Sequence, residues 1–162
     1  MRDIDAITGE VIDAAYQLHL QLGPGLLESV YEAVLAQALE RRGLQVQRQK
    51  PVTFEFDGLR FDEGFRVDLL VEDRVVVVLK STERLAEVHR KQVLTYLRLL
   101  DLQVGLLINF GAAKLKDGLH RIVNSHIPSP RSPLRINRRG PSGTMPRVSA
   151  SSAPPRLRVR LL

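Results

Sequence analysis

Val75-Val76-Val77-Val78-Leu79 is an unbroken apolar run, β-branched at its first four positions. Glu72-Asp73-Arg74 precedes it and Lys80 closes it. Such a run predicts a central strand buried on both faces, because β-branched side chains pack well on a pleated surface. A strand of this kind needs neighbours in a sheet and layers on both sides of it. The rest of the chain supplies patterns for both.

Ile4, Ile7, Val11, Ala15, Leu18 and Leu22 recur every three or four residues, which predicts an amphipathic helix. Gly23-Pro24-Gly25 breaks it. A second helix is expected from Leu27 to Arg42, with Val30, Val34, Leu35, Ala38 and Leu39 inward and Gly43 ending it. The period then changes. Val46, Val52, Phe54 and Phe56 alternate with polar residues, and Asp57-Gly58 signals a hairpin. Residues 65–71 read as a strand, and Glu72-Asp73-Arg74 turns the chain into the Val75–Leu79 run. A third helix is expected over Glu83–Leu100, a buried strand over Val104–Phe110, and a short last strand over Leu119–Val123. The predicted order is α-α-β-β-β-β-α-β-β.

Charge divides the chain. Of 24 Lys and Arg residues, eight arginines lie in 126–162, a stretch with no acid. The body therefore carries 16 basic residues against 18 acidic ones and is slightly acidic. Seven of the nine prolines also fall beyond residue 125. Sequence rich in Pro, Ser and Arg buries too little apolar surface to offset the entropy of ordering. The expected organisation is a domain over 1–125 and a disordered tail over 126–162.

Absences narrow the chemistry. The chain has no cysteine, which excludes disulfides, Cys-bound zinc, iron–sulfur clusters and thiol nucleophiles. No apolar run approaches the roughly 20 residues of a membrane span, and the N-terminus lacks the apolar core of a signal peptide. A soluble, cytoplasmic protein is expected. Walker A, GxGxxG, GxSxG and HExxH patterns are missing. Aromatic residues are 5% of the chain, too few for a base-stacking platform.

Three constellations remain. Asp68 interrupts an apolar strand, and Lys80 ends the most apolar one. The ordinary reading is a strand-end ion pair. The functional one is a metal-binding carboxylate beside a lysine that polarises a water. Asp68 shares a face with Val78 and Lys80 only if the hairpin pairs Asp68 with Val78, which requires an odd loop such as Glu72-Asp73-Arg74. On the third helix, His89, Gln92 and Tyr96 fall inside the apolar arc. They are either core groups satisfied by the backbone or a polar strip lining a cleft beside Lys80. Glu28 and Tyr31 lie one turn apart near a helix N-terminus, where the helix dipole alone favours an acid.

These signals occur in a known order. Gly25-x-x-Glu28-x-x-Tyr31, Asp68, Val78-Leu79-Lys80, His89/Gln92/Tyr96 and Gly105-Leu106-Leu107-Ile108-Asn109-Phe110 together resemble the GxxExxY family of small bacterial and archaeal proteins. That family is similar to the PD-(D/E)XK nuclease superfamily. The resemblance implies an α/β (α+β) restriction-endonuclease-like core, with a mixed central sheet flanked by helices. It implies Mg²⁺-dependent phosphodiester hydrolysis on DNA or RNA, with Asp68, Lys80 and Glu28 as catalytic residues and Tyr31, Gln92, Tyr96 and His89 lining the cleft. One position departs from the pattern. The family's acidic metal ligand before Leu-Lys is Val78 here, which leaves Asp68 and Glu28 as metal ligands. The expectation is a weakened or inactive nuclease, with Mg²⁺ bound only if the site is active. A non-catalytic nucleic-acid- or protein-binding module is the alternative. Glu28 or Glu83 taking over as ligand would instead keep the enzyme active.

Overall fold

The computed structural model describes residues 1–125 and the two-residue strand Arg147–Val148. Helices α1 (Ile4–Leu22) and α2 (Glu28–Arg41) lead into β1 (Val46–Phe56), β2 (Leu59–Val71) and β3 (Val75–Lys80). Helix α3 (Glu87–Leu100) then crosses to β4 (Val104–Asn109), and a 3₁₀ turn precedes β5 (Leu119–Val123). The sheet order is β1-β2-β3-β4-β5, and β6 (Arg147–Val148) pairs with β2. The β3–β4 pair is parallel, as the α3 crossover requires, and the pairs β1–β2, β2–β3 and β4–β5 are antiparallel. The chain is thus a mixed α+β fold with helices on both faces of the sheet.

β3 is the strand the apolar run predicts. Every residue from Val75 to Lys80 is buried, and its alternate side chains enter two different cores. Val75, Val77 and Leu79 pack with α1 and α2 residues such as Val11, Ala15, Leu35 and Leu39. Val76 and Val78 pack with Val93, Tyr96 and Leu97 of α3. Each such side chain contributes about 1.5–3 kcal/mol of burial.

The structure corrects several expectations. Three strands rather than four precede α3, because β1 runs unbroken from Val46 to Phe56. Pro51 is accommodated because β1 is an edge strand. Helix α3 starts at Glu87 rather than Glu83. Leu22 and Val30 are exposed rather than inward, since the apolar stripe of each helix is narrower than its sequence pattern. Of the tail, Arg147–Val148 forms β6 beside β2, where no regular structure was expected. The remainder of 126–162 lies outside the described residues.

Candidate functional site

The site is set by the β2–β3 hairpin. Val71 pairs with Val75, Leu70 with Val76 and Leu69 with Val77. The connecting loop is the three residues Glu72-Asp73-Arg74, with Glu72 and Asp73 in the left-handed region at φ 53° and 54°. This is an odd loop, and the regular register stops at Leu69–Val77. There Asp68 leaves the regular ladder. Its Oδ2 accepts the backbone N–H of Leu79 at 2.8 Å.

Glu28 arrives from the other direction. Gly25, at φ +106°, lets the chain turn sharply before α2. The Tyr31 hydroxyl donates to the Gly23 carbonyl and accepts the Leu26 N–H at 3.2 Å. Its ring stacks on Phe110 at a centroid distance of 4.3 Å. The turn is thereby fixed, and Glu28 at the start of α2 lies over the end of β3. Its Oε1 accepts the Ser81 N–H at 3.3 Å, while Ser81 Oγ donates to the Leu26 carbonyl at 2.6 Å.

The result is a cavity of about 520 Å³ lined by Glu28, Glu32, Gln49, Asp68, Leu79 and Ser81, with Leu26 and Leu27 at its rim. Burial is the main cause that pushes the Asp68 carboxyl up to about 6, and the charges of Glu32 and Glu28 add to it. The Leu79 N–H and the Lys80 ammonium oppose that shift. Lys80 is 1% exposed. By strand alternation it follows Val76 and Val78 toward the α3 side. It acts on the Asp68 carboxyl through its charge but does not line the cavity.

The structure brings Glu28 and Asp68 together and leaves the four expected cleft residues out of that lining. Each makes contacts of its own. Tyr31 clamps the turn before α2. His89 Nδ1 accepts the Ala86 N–H at 3.1 Å and so caps its own helix. Burial and then Lys80 lower its pKa, which suits a neutral acceptor. Gln92 Nε2 donates to the Tyr96 hydroxyl at 2.8 Å, both side chains being buried. Tyr96 stacks on Phe65 at 4.0 Å, and burial pushes its hydroxyl up to about 12.

Glu32 and Ser81 are cavity residues that the sequence reading missed. Glu32 is 6% exposed and held by Arg48 at 3.0 Å and Gln49 at 2.6 Å. Its place one helical turn after Glu28 was the available signal, since residues four apart share a helix face.

Whether these groups suit a divalent cation can be judged from the donors. Mg²⁺ needs oxygen ligands in near-octahedral array. Val78 offers none and is 1% exposed within the α3-side core. Glu32 is already paired with Arg48. Among the described residues no three Asp, Glu or His side chains converge as a metal-ligating group. Glu28 and Asp68 are the carboxylates left to offer oxygen ligands from the cavity wall.

Comparison with curated proteins gives no match, nor does comparison with solved structures. A family model described as the PD-(D/E)XK nuclease superfamily matches residues 5–122. That span runs from the start of α1 to the end of β5 and takes in the hairpin carrying Asp68, Val78 and Lys80. The chain belongs to the PD-(D/E)XK nuclease superfamily.

Proposed function

We propose that this chain is a GxxExxY-type member of the superfamily whose Mg²⁺-dependent phosphodiesterase site has decayed, so that it hydrolyses nucleic acid weakly or not at all. The observation that carries the reading is Val78. It stands directly before Leu79-Lys80, where the family pattern has a metal-binding acid, and it is packed among Val76, Val93 and Leu107. The subfamily assignment is supported by the way Gly25, Glu28 and Tyr31 act as one local unit that delivers Glu28 to the cavity beside Asp68. The residual site is Asp68, Glu28 and the buried Lys80. The test is incubation of the full chain with double- and single-stranded DNA and with RNA, in chelator and in Mg²⁺ or Mn²⁺. No metal-dependent cleavage above a Asp68→Ala control is expected. Cleavage that requires metal and is lost in Asp68→Ala would show an active enzyme completed by another acid.

A second reading is favoured by the tail. Eight arginines without one acid suit a non-catalytic module that binds nucleic acid through its phosphates. Oligonucleotide affinity that falls steeply with added salt supports it. Affinity indifferent to salt, or none, rejects it.

A further inference from the structure

The β1–β2 hairpin extends well past the rest of the sheet. β1 pairs with β2 along its length, out to Phe56 and Leu59. β3 accompanies β2 only over Leu69–Val71. The other edge of β2, from Leu59 to about Arg66, therefore has no neighbour from the central sheet. An uncovered edge of that length offers unpaired N–H and C=O groups to any extended chain.

Phe61 lies on this stretch and is wholly buried. It belongs to neither of the two core clusters. Phe54 stacks on it at 5.0 Å from the β1 side. On the open side, Arg60 and Phe61 pair in parallel with Arg147 and Val148. Pro146 immediately precedes that segment, and a proline suits the start of a strand, where its missing N–H costs nothing. The backbone register partners Phe61 with position 148. The family match ends at residue 122, so this strand comes from outside the matched domain.

We propose that the outer edge of β2 over residues 59–66 is a strand-docking edge whose occupant is this chain's own segment around Arg147–Val148, bound in cis. Main-chain hydrogen bonds supply the attachment, as in other cases of strand addition. A second segment could compete. Leu157-Arg158-Val159-Arg160-Leu161 alternates apolar and charged residues with the period of a strand.

The experiment is amide hydrogen exchange of residues 59–66 in the full chain at low and high protein concentration. It compares wild type with Arg147→Pro, Val148→Pro and Val159→Pro. These changes lie in the tail and leave the domain sequence intact. Exchange at Arg60 or Phe61 should accelerate about tenfold or more in Arg147→Pro or Val148→Pro, since proline donates no N–H. It should stay at the wild-type rate in Val159→Pro, and wild-type protection should not depend on concentration. Unchanged exchange in both of the first two variants overturns the proposal. Acceleration in Val159→Pro alone assigns the edge to the other segment and overturns it too. Wild-type protection that fades on dilution means that a second copy supplies the strand, which rejects the occupant in cis.

Discussion

Asp68 Oδ2 accepts the backbone N–H of Leu79 at 2.8 Å, so the carboxyl is held between two strands at the point where their ladder stops. Its pKa rises from 3.8 to about 6, chiefly through burial. The sign follows directly. Below the unfolded value both states are protonated and Asp68 contributes nothing. Between the two values the folded state holds more protons, so stability falls as pH rises. Above the folded value the full cost, on the order of 3 kcal/mol, is present. Asp68→Asn removes that charge. It should match wild type near pH 4 and be more stable at pH 7.5, by an amount that grows between pH 4 and 6. Urea unfolding at a series of pH values measures this. Equal pH slopes for the two proteins would mean that the carboxylate is not destabilised by its surroundings.

Val78→Glu restores the acid that the family pattern has. The new carboxylate would lie inside an apolar cluster, so it should cost about 3 kcal/mol or more in chelator. Mg²⁺ or Mn²⁺ should restore stability in a concentration-dependent way, because the ion binds only the folded state. Metal-dependent nuclease activity that appears with it should vanish on adding Asp68→Ala or Lys80→Ala. Thermal unfolding of wild type should move little under the same titration. A wild type stabilised as strongly as Val78→Glu would mean that Val78 is no lesion.

Tyr31→Phe keeps the ring on Phe110 and deletes only the hydroxyl. The Gly23 carbonyl loses its donor and the Leu26 N–H its acceptor. A loss of about 1–3 kcal/mol is expected. Chemical denaturation gives the magnitude, and faster exchange of the Leu26 amide should accompany it. A loss no larger than that of Tyr16→Phe, at a tyrosine only partly buried, would remove Tyr31 from the role of clamp.

Gly111→Ala tests the other wall of the hairpin end. A Cβ at Gly111 would run into the Thr82 backbone, at 2.6 Å from its nitrogen. Backbone cannot swing aside as a side chain can. Asn109 also binds Thr82 from the same strand end, donating to its carbonyl at 2.8 Å and accepting its N–H at 3.0 Å. The substitution should cost roughly 2–4 kcal/mol. A melting temperature within a degree or two of wild type would contradict this packing.

Elements with one dominant signal were legible in the sequence. β3 is readable because a buried strand needs no alternation, and a three-residue Glu72-Asp73-Arg74 loop fixes the hairpin register. The start of α3 was not, because residues 83–86 have helical composition but their backbone is spent leaving β3 and reaching the His89 cap. His89, Gln92 and Tyr96 were correctly seen as polar groups on an apolar face. Periodicity could not say whether such groups meet a ligand or one another, and Gln92 and Tyr96 meet one another. Glu32 was overlooked because an acid on a helix is ordinarily solvated. Its partners, Arg48 and Gln49, come from a strand that sequence spacing does not bring near.

The Tyr31 ring lies on Phe110, and the Phe110 N–H donates to the Lys80 carbonyl at 2.8 Å. Tyr31 of the Gly25-x-x-Glu28-x-x-Tyr31 pattern is thereby wired to the strand that bears the lysine, through contacts that carry no chemistry. Gly25 and Tyr31 shape and brace a turn, and only Glu28 presents a reactive group to the cavity. A chain that abandons hydrolysis still needs two of those three letters to stay folded. The motif can therefore outlive the reaction, and finding it intact in a sequence measures the upkeep of a scaffold rather than the survival of an enzyme.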